Sequence, residues 1–229
     1  MSTLYHSPLC PLSRFIRLVL GEWGFEHEAV EERVWERRHD FLVLNPAGTV
    51  PVLVEDGLAV PGADLIVAYI EETRGQALDS PGLMPEGAAR RVEVRRIADW
   101  FNRKFHEEVS GPLAHEKVMK RFMGRDQGGG SPDMISMRTA RANIRYHLHY
   151  IGWLIGRRHW LAGDRISYAD LAAAAHLSVC DYLGDVPWDE DEAAKLWYAR
   201  IKSRPSFRLL LGERLRGVTP PVHYADLDF

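Results

Sequence analysis

The sequence predicts two units in tandem: a small α/β layer domain over residues 1–76 and an all-helical domain over residues 87–217. Three observations point there. Short β-prone runs alternate with helix-period runs only as far as residue 76, in the order βαβαββα. The stretch 77–86 collects Gly, Pro, Asp and Ser and reads as a linker. Beyond it the apolar runs have helical spacing and no strand pattern returns. Residues 218–229 follow the last helix as a C-terminal tail.

Thr3–His6 is β-prone, and Pro8 and Pro11 punctuate the turn after it. Phe15, Ile16, Val19 and Leu20 recur at helical spacing, with Gly21 and Gly24 as the stop. Residues 28–34 alternate weakly as a second strand, and 37–44 make a short helix. Asn45-Pro46-Ala47-Gly48 is a turn. Residues 50–54 and 58–60 flank Asp56-Gly57 as a hairpin. Leu65, Ile66, Tyr69 and Ile70 mark the next helix face. In the second unit Val94, Ile97, Phe101 and Phe105 form a stripe that Gly111-Pro112 breaks or bends. After the flexible connection 124–132, Ile144, Leu148, Ile151 and Ile155 form another stripe. Residues 171–183 are Ala-rich and apolar all round, the pattern of a central helix. Glu192–Lys202 and 207–215 complete the set.

The chain has 229 residues, 46% hydrophobic and 27% charged, ordinary for a globular protein. Cys10 and Cys180 are its two cysteines, too few for a disulfide framework, and reduced thiols suggest the cytosol. No apolar run approaches membrane-spanning length, and the opening Met1-Ser2-Thr3-Leu4-Tyr5-His6 lacks the character of a signal peptide. Net charge is −3, unevenly spread: residues 1–76 carry 6 Lys+Arg against 12 Asp+Glu, and positions 90–125 carry 10 against 5. Such asymmetry steers acidic partners, although a solvated helix face explains the basic run more simply. Nucleic acid does not fit this overall charge. His147 and His149 lie two apart on different helix faces, and no metal-ligand spacing occurs elsewhere. Gly128-Gly129-Gly130 lacks the following Lys of a phosphate loop.

Three motifs stand out. In Ser7-Pro8-Leu9-Cys10-Pro11-Leu12-Ser13-Arg14 a thiol opens a helix, where the macrodipole lowers its pKa and favours a thiolate nucleophile. The competing reading is a small Cys that only packs. In Asn45-Pro46-Ala47-Gly48-Thr49-Val50-Pro51-Val52-Leu53 a Val-Pro bond opens a strand, which fits a cis peptide turning Val50's backbone toward a pocket. The alternative is an architectural turn. In Gly163-Asp164-Arg165-Ile166-Ser167-Tyr168-Ala169-Asp170-Leu171, Ser167 and Asp170 form a capping box and Ile166 and Leu171 a hydrophobic staple. The cap alone is worth about 1 kcal/mol, and no catalytic role attaches to it.

In this order the three motifs resemble the glutathione transferases, over about residues 3–216. The resemblance implies a thioredoxin-like N-terminal domain and an all-helical C-terminal domain, and says less about activity. It also implies that an acidic residue and a Ser at the start of the third helix hold the γ-glutamyl carboxylate of glutathione, within the pattern E-S-x-A-I-x-x-Y-L. With Tyr69-Ile70 set on Y-L, Gly62-Ala63 stand on E-S, and neither side chain can hydrogen-bond. Asp64 next door repels a carboxylate. Losing charge-assisted contacts costs roughly 1.5–3 kcal/mol each, so two losses weaken binding by two to four decades. Val50, Pro51, Gly62 and Ala63 then form only a remnant glutathione pocket. Cys10 stands where the family's catalytic Ser or Cys stands. The expectation is no catalytic residue and no cofactor. The alternative is a glutathione-dependent transferase or thiol transferase using Cys10 or Ser13.

If the pocket is gone, the surface is left. The tail ends Tyr224-Ala225-Asp226-Leu227-Asp228-Phe229, apolar and acidic residues alternating, suited to a groove edged by cations. Trp35 sits in the charged run Glu31-Glu32-Arg33-Val34-Trp35-Glu36-Arg37-Arg38, either as an exposed interface anchor or packed inside. The opening Leu4-Tyr5-His6-Ser7-Pro8-Leu9, the missing Glu-Ser pair and the ending His223-Tyr224-Ala225-Asp226-Leu227-Asp228-Phe229 are similar to the FtsZ-localized protein A group of alphaproteobacteria. That likeness implies a dimeric, non-catalytic protein that binds FtsZ filaments and curves them at the division site in the cytoplasm. It carries over Arg125 and Asp228 as contact residues. Trp35, Tyr224, Asp226 and Phe229 join them as candidates from the surface argument. FtsZ polymer and a second copy of the chain are the expected partners, with no membrane insertion.

Overall fold

The computed structural model describes residues 2–75 and 82–227. The first unit is a four-stranded sheet, β1 (Thr3–His6), β2 (Glu28–Glu31), β3 (Val52–Glu55) and β4 (Leu58–Pro61), in the order β2-β1-β3-β4. β1 runs parallel to β2 and antiparallel to β3, with Leu4 opposite Leu53. Their side chains are fully buried, each such burial worth roughly 1.5–3 kcal/mol. Asp56 and Gly57 both take positive φ, 49° and 83°, the turn that matches strand twist in a two-residue hairpin. Helices α1 (Pro11–Glu22), α2 (His39–Leu44) and α3 (Ala63–Arg74) complete the predicted βαβαββα order. β2 stops three residues short of expectation because Val34–Glu36 coils into a 3₁₀ turn. On α3, Ile66 and Ile70 are buried, but Leu65, expected on the same face, is 58% exposed.

β1 also buries His6, whose Nδ1 finds no hydrogen-bond partner among the described residues. Burial, reinforced by the nearby Arg17 cation, lowers its pKa to about 4 from 6.5. The folded state therefore holds His6 neutral where the unfolded chain protonates it. Stability is present in full above about pH 6.5 and is lost as pH falls toward 4. We expect the urea midpoint to drop between pH 7 and pH 5, and His6→Phe to flatten that drop; an unchanged slope in the variant would refute the assignment.

The second unit starts with a rod that does not break at Gly111-Pro112. Helix α4 (Ala88–Asp99) runs on through wide turns at Trp100–Ser110, α5 (Gly111–Ala114), further wide turns at His115–Met119 and α6 (Lys120–Phe122). The Gly111 N–H bonds the His106 carbonyl five residues back, and this looser winding accommodates the proline that was expected to interrupt it. Five of the ten basic residues in this run form ion pairs among the described residues, Arg96–Glu93, Arg103–Asp99, Lys104–Glu108, Lys120–Glu116 and Lys117–Asp185. Asp133 caps α7 (Met134–Ile155) by accepting from the Ile135 and Ser136 amides. On α7 His147 is buried between Trp100 and Glu108, whereas His149 is exposed.

All 15 residues of α8 (Tyr168–Tyr182) are buried, as the Ala-rich run predicts, and α8 packs against α1 across the two units. Asp170 accepts from the Ser167 amide and hydroxyl and, through its other oxygen, from the Leu161 amide and the Trp197 indole. α9 (Glu192–Lys202) has the predicted bounds. α10 (Arg208–Gly212) is shorter than expected, because Glu213 leaves the helix for Arg14 and Arg17. Part of the expected linker, residues 77–81, lies outside the described residues, and 82–86 contain no helix or strand. No helix among the described residues is long and apolar enough to cross a membrane.

Candidate functional site

The turn after β1 is held from three directions. The Cys10 amide donates to the Ser7 carbonyl (3.1 Å), the Ser7 amide donates to Ser13 Oγ (3.2 Å), and Arg14 Nε donates to the Pro8 carbonyl (2.7 Å). Cys10 is the N-cap of α1, with Sγ 3.9 Å from the Val50 carbonyl. Burial pushes this thiol up, outweighing the Ser13 hydrogen bond that pulls it down. Burial thus works against the thiolate that the helix dipole would favour. Ser13 is fully buried, so its hydroxyl supports the turn and does not meet solvent.

Across from Cys10, Asn45 Nδ2 donates to the Thr49 carbonyl (2.8 Å) and its Oδ1 accepts from the Ala47 amide (3.2 Å), fixing the turn before β3. The Val50–Pro51 peptide is cis. Val50 lines a groove, while Pro51 is buried. Gly62, at φ 87°, is the N-cap of α3, and its amide donates to the Pro51 carbonyl (2.9 Å). Ala63 is buried and Asp64 exposed, and no side chain caps this helix. Of Val50, Pro51, Gly62 and Ala63, only Val50 reaches the groove.

That groove, about 870 Å³, runs between the two units. One wall carries Cys10, Val50 and the half-buried Trp35 on its 3₁₀ turn. The opposite wall is the rod, with His106, Ala114, Val118 and Phe122, and a third side is Arg214, Leu215 and Arg216. Trp35 thus falls between the two sequence readings, partly covered and partly presented. The rod wall was not anticipated; the signal available was Val118 and Phe122 four apart inside the basic run.

Arg125, Tyr224 and Asp226 do not line the groove. Arg125 is exposed on a 3₁₀ turn (Arg125–Gln127) beyond α6. Tyr224 is a correction. It is fully buried, its hydroxyl accepts from Arg14 (3.1 Å) and donates to the Leu210 carbonyl (3.0 Å), and its ring packs edge-on to Tyr182. It anchors the tail to its own chain and offers nothing to a partner. Lys202 Nζ bonds the His223 carbonyl (2.9 Å), fixing the same segment. Asp226 is exposed, and Asp228 and Phe229 lie outside the described residues.

Comparison with known proteins places this architecture. Residues 4–78 match the family model for the glutathione S-transferase N-terminal domain, and residues 112–205 that for the C-terminal domain. The chain is 47% identical to FtsZ-localized protein A of Caulobacter vibrioides, over 99% of this chain and 98% of that protein. The crystal structure of a glutathione S-transferase from Sinorhizobium meliloti is 55% identical with a TM-score of 0.97, covering 100% of both chains. FzlA from C. crescentus is 46% identical with a TM-score of 0.91, covering 100% of this chain and 99% of that one. A sheet unit, an all-helical unit and full-length similarity on both thus agree: the chain belongs to the glutathione S-transferase superfamily and, within it, resembles FtsZ-localized protein A along its whole length.

Proposed function

We propose that this protein associates with FtsZ at the division site in the cytoplasm, and that it shapes FtsZ filaments by binding without catalysing a reaction. The observation that carries this reading is the 47% identity to FtsZ-localized protein A over 99% of the chain. The geometry around Cys10 supports the non-catalytic part. Burial pushes its thiol up, Ser13 is inaccessible, and α3 begins with Gly62-Ala63, which bring no side-chain donor to a carboxylate. Glutathione is not a cofactor on this reading. The chain acts as a homodimer, in which the acidic first unit of one copy meets the basic second unit of the other under two-fold symmetry. A cleft of about 430 Å³ carries Glu72 of α3 and Arg95 of α4, and Leu65 on α3 and Val92 on α4 are exposed, features suited to that contact. Two filament sites on one particle bundle or bend a polymer through their high effective concentration.

The decisive experiment is co-sedimentation with FtsZ polymer. The chain pellets with polymer, and Arg125→Glu reduces pelleting several-fold. Removal of Asp228 and Phe229 alone also reduces it, while leaving the Tyr224 anchor in place. Absence of the chain from the pellet would overturn the association. Micromolar glutathione binding by calorimetry, abolished in Cys10→Ser, would restore the enzyme reading.

A further inference from the structure

The large groove has an apolar centre and a cationic edge. Trp35 on one wall, with Val118 and the 40% exposed Phe122 on the other, supply the centre. Arg33, Arg214 and Arg216 are exposed along its edges, on elements from both units, against one lining carboxylate among the described residues, that of Glu31. Arg33 pairs with Glu36 outside the groove, and Arg214 donates to the Leu211 and Glu213 carbonyls, which leaves the edge with an excess of positive charge.

The contacts that would grip a small thiol peptide are reduced here. The Cys10 thiol turns to the Val50 carbonyl, Ser13 is inside, and the start of α3 is not part of the lining. At about 870 Å³ the space lies near the upper end of the roughly 300–1,000 Å³ usual for single-molecule pockets. Aromatic anchors ringed by separated charges are instead the anatomy of a protein-recognition patch, in which the apolar centre supplies affinity and the charged edge selects the partner.

We propose that this groove receives an extended peptide segment, apolar at its centre and acidic at its flanks, and, resting on the FtsZ association proposed above, that the segment belongs to FtsZ. Charge complementarity selects it: acidic flanks meet Arg33 on one side and Arg214 and Arg216 on the other, while bulky apolar side chains lie against Trp35 and Phe122. Attraction to exposed guanidiniums is screened by salt, so binding weakens as ionic strength rises through the physiological range.

Two measurements test it on the full chain. In the first, 12-residue peptides tiled along FtsZ are titrated by fluorescence anisotropy. The acidic-apolar peptides bind, basic and purely polar peptides do not, and affinity falls at least tenfold in the double variant Arg33→Glu, Arg216→Glu and in Phe122→Ser, with thermal unfolding confirming that both variants fold. In the second, the best peptide displaces the chain from FtsZ polymer. Absence of any acidic-apolar binder at about 1 mM peptide, equal binding of basic peptides, or indifference to the edge variants would overturn the groove assignment. If the chain pellets with FtsZ while the groove variants pellet equally well, the groove assignment fails and the association stands. If it does not pellet at all, the association fails, and with it the assignment of the segment to FtsZ.

Discussion

Replacing Arg14 with Ala lowers the thermal midpoint by roughly 10 °C and opens the C-terminal segment to protease. Arg14 is fully buried and bonds four separate parts of the chain. Nε holds the Pro8 carbonyl at 2.7 Å, one terminal nitrogen reaches Ser178 Oγ (2.9 Å) and the Tyr224 hydroxyl (3.1 Å), and the other meets Glu213 at 2.8 Å. The turn after β1, helix α8, the end of α10 and the tail thus converge on one guanidinium. Removing one partner from a buried charged network costs about 3–5 kcal/mol. For a chain of this size each kcal/mol moves the midpoint by about 2–4 °C. Arg14→Lys recovers little, because a single ammonium cannot reproduce a planar set of donors. Tyr224→Phe keeps the ring against Tyr182, loses only the hydroxyl bonds and costs about 1 kcal/mol. Calorimetry and limited proteolysis read these effects. A midpoint for Arg14→Ala within about 2 °C of the parent would show that the convergence carries no stability.

Asp170→Ala destabilises by about 4 kcal/mol, read as a shift of the urea midpoint at constant slope. The carboxylate is fully buried, which pushes its pKa up, while the Leu161 amide, the Trp197 indole and both donors of Ser167 pull it down. Alanine leaves those donors in the interior without an acceptor. Asp170→Asn restores an acceptor for Leu161 and Trp197 but turns an NH₂ toward the Ser167 donors, so it recovers about half. A cost below about 1 kcal/mol for the alanine variant would mean that water or rearrangement satisfies the freed groups.

Local chemistry made much of this fold readable. Ser167-x-x-Asp170 announced the start of α8, Asp56-Gly57 announced the hairpin, and the spacing of Val94, Ile97, Phe101 and Phe105 placed the rod's buried face. The position of Gly62-Ala63 at the head of α3 followed from the same kind of counting. Long-range partners were not legible. Tyr224 alternates with acids and reads as a free tail, yet its burial depends on an arginine 210 positions away. The helix dipole at Cys10 is a local effect, whereas the burial that pushes its thiol up comes from the surroundings of the turn. The groove joins residues from positions 7 to 216, which no single periodic segment reveals. Of the break or bend expected at Gly111-Pro112 the break does not occur, because proline's rule concerns ordinary helical winding and the chain there winds more widely.

The loosened winding around His106, Gly111 and His115 has an evolutionary side. Each such turn absorbs a residue without shifting the backbone at either end, so this stretch tolerates a gain or loss of length that a uniform helix would convert into rotation. Were the winding to tighten, Val118 and Phe122 would swing around the axis and leave their present wall. A single-residue change that the wide turns absorb thus leaves Val118 and Phe122 on their wall, whereas one that tightens the winding turns them off it.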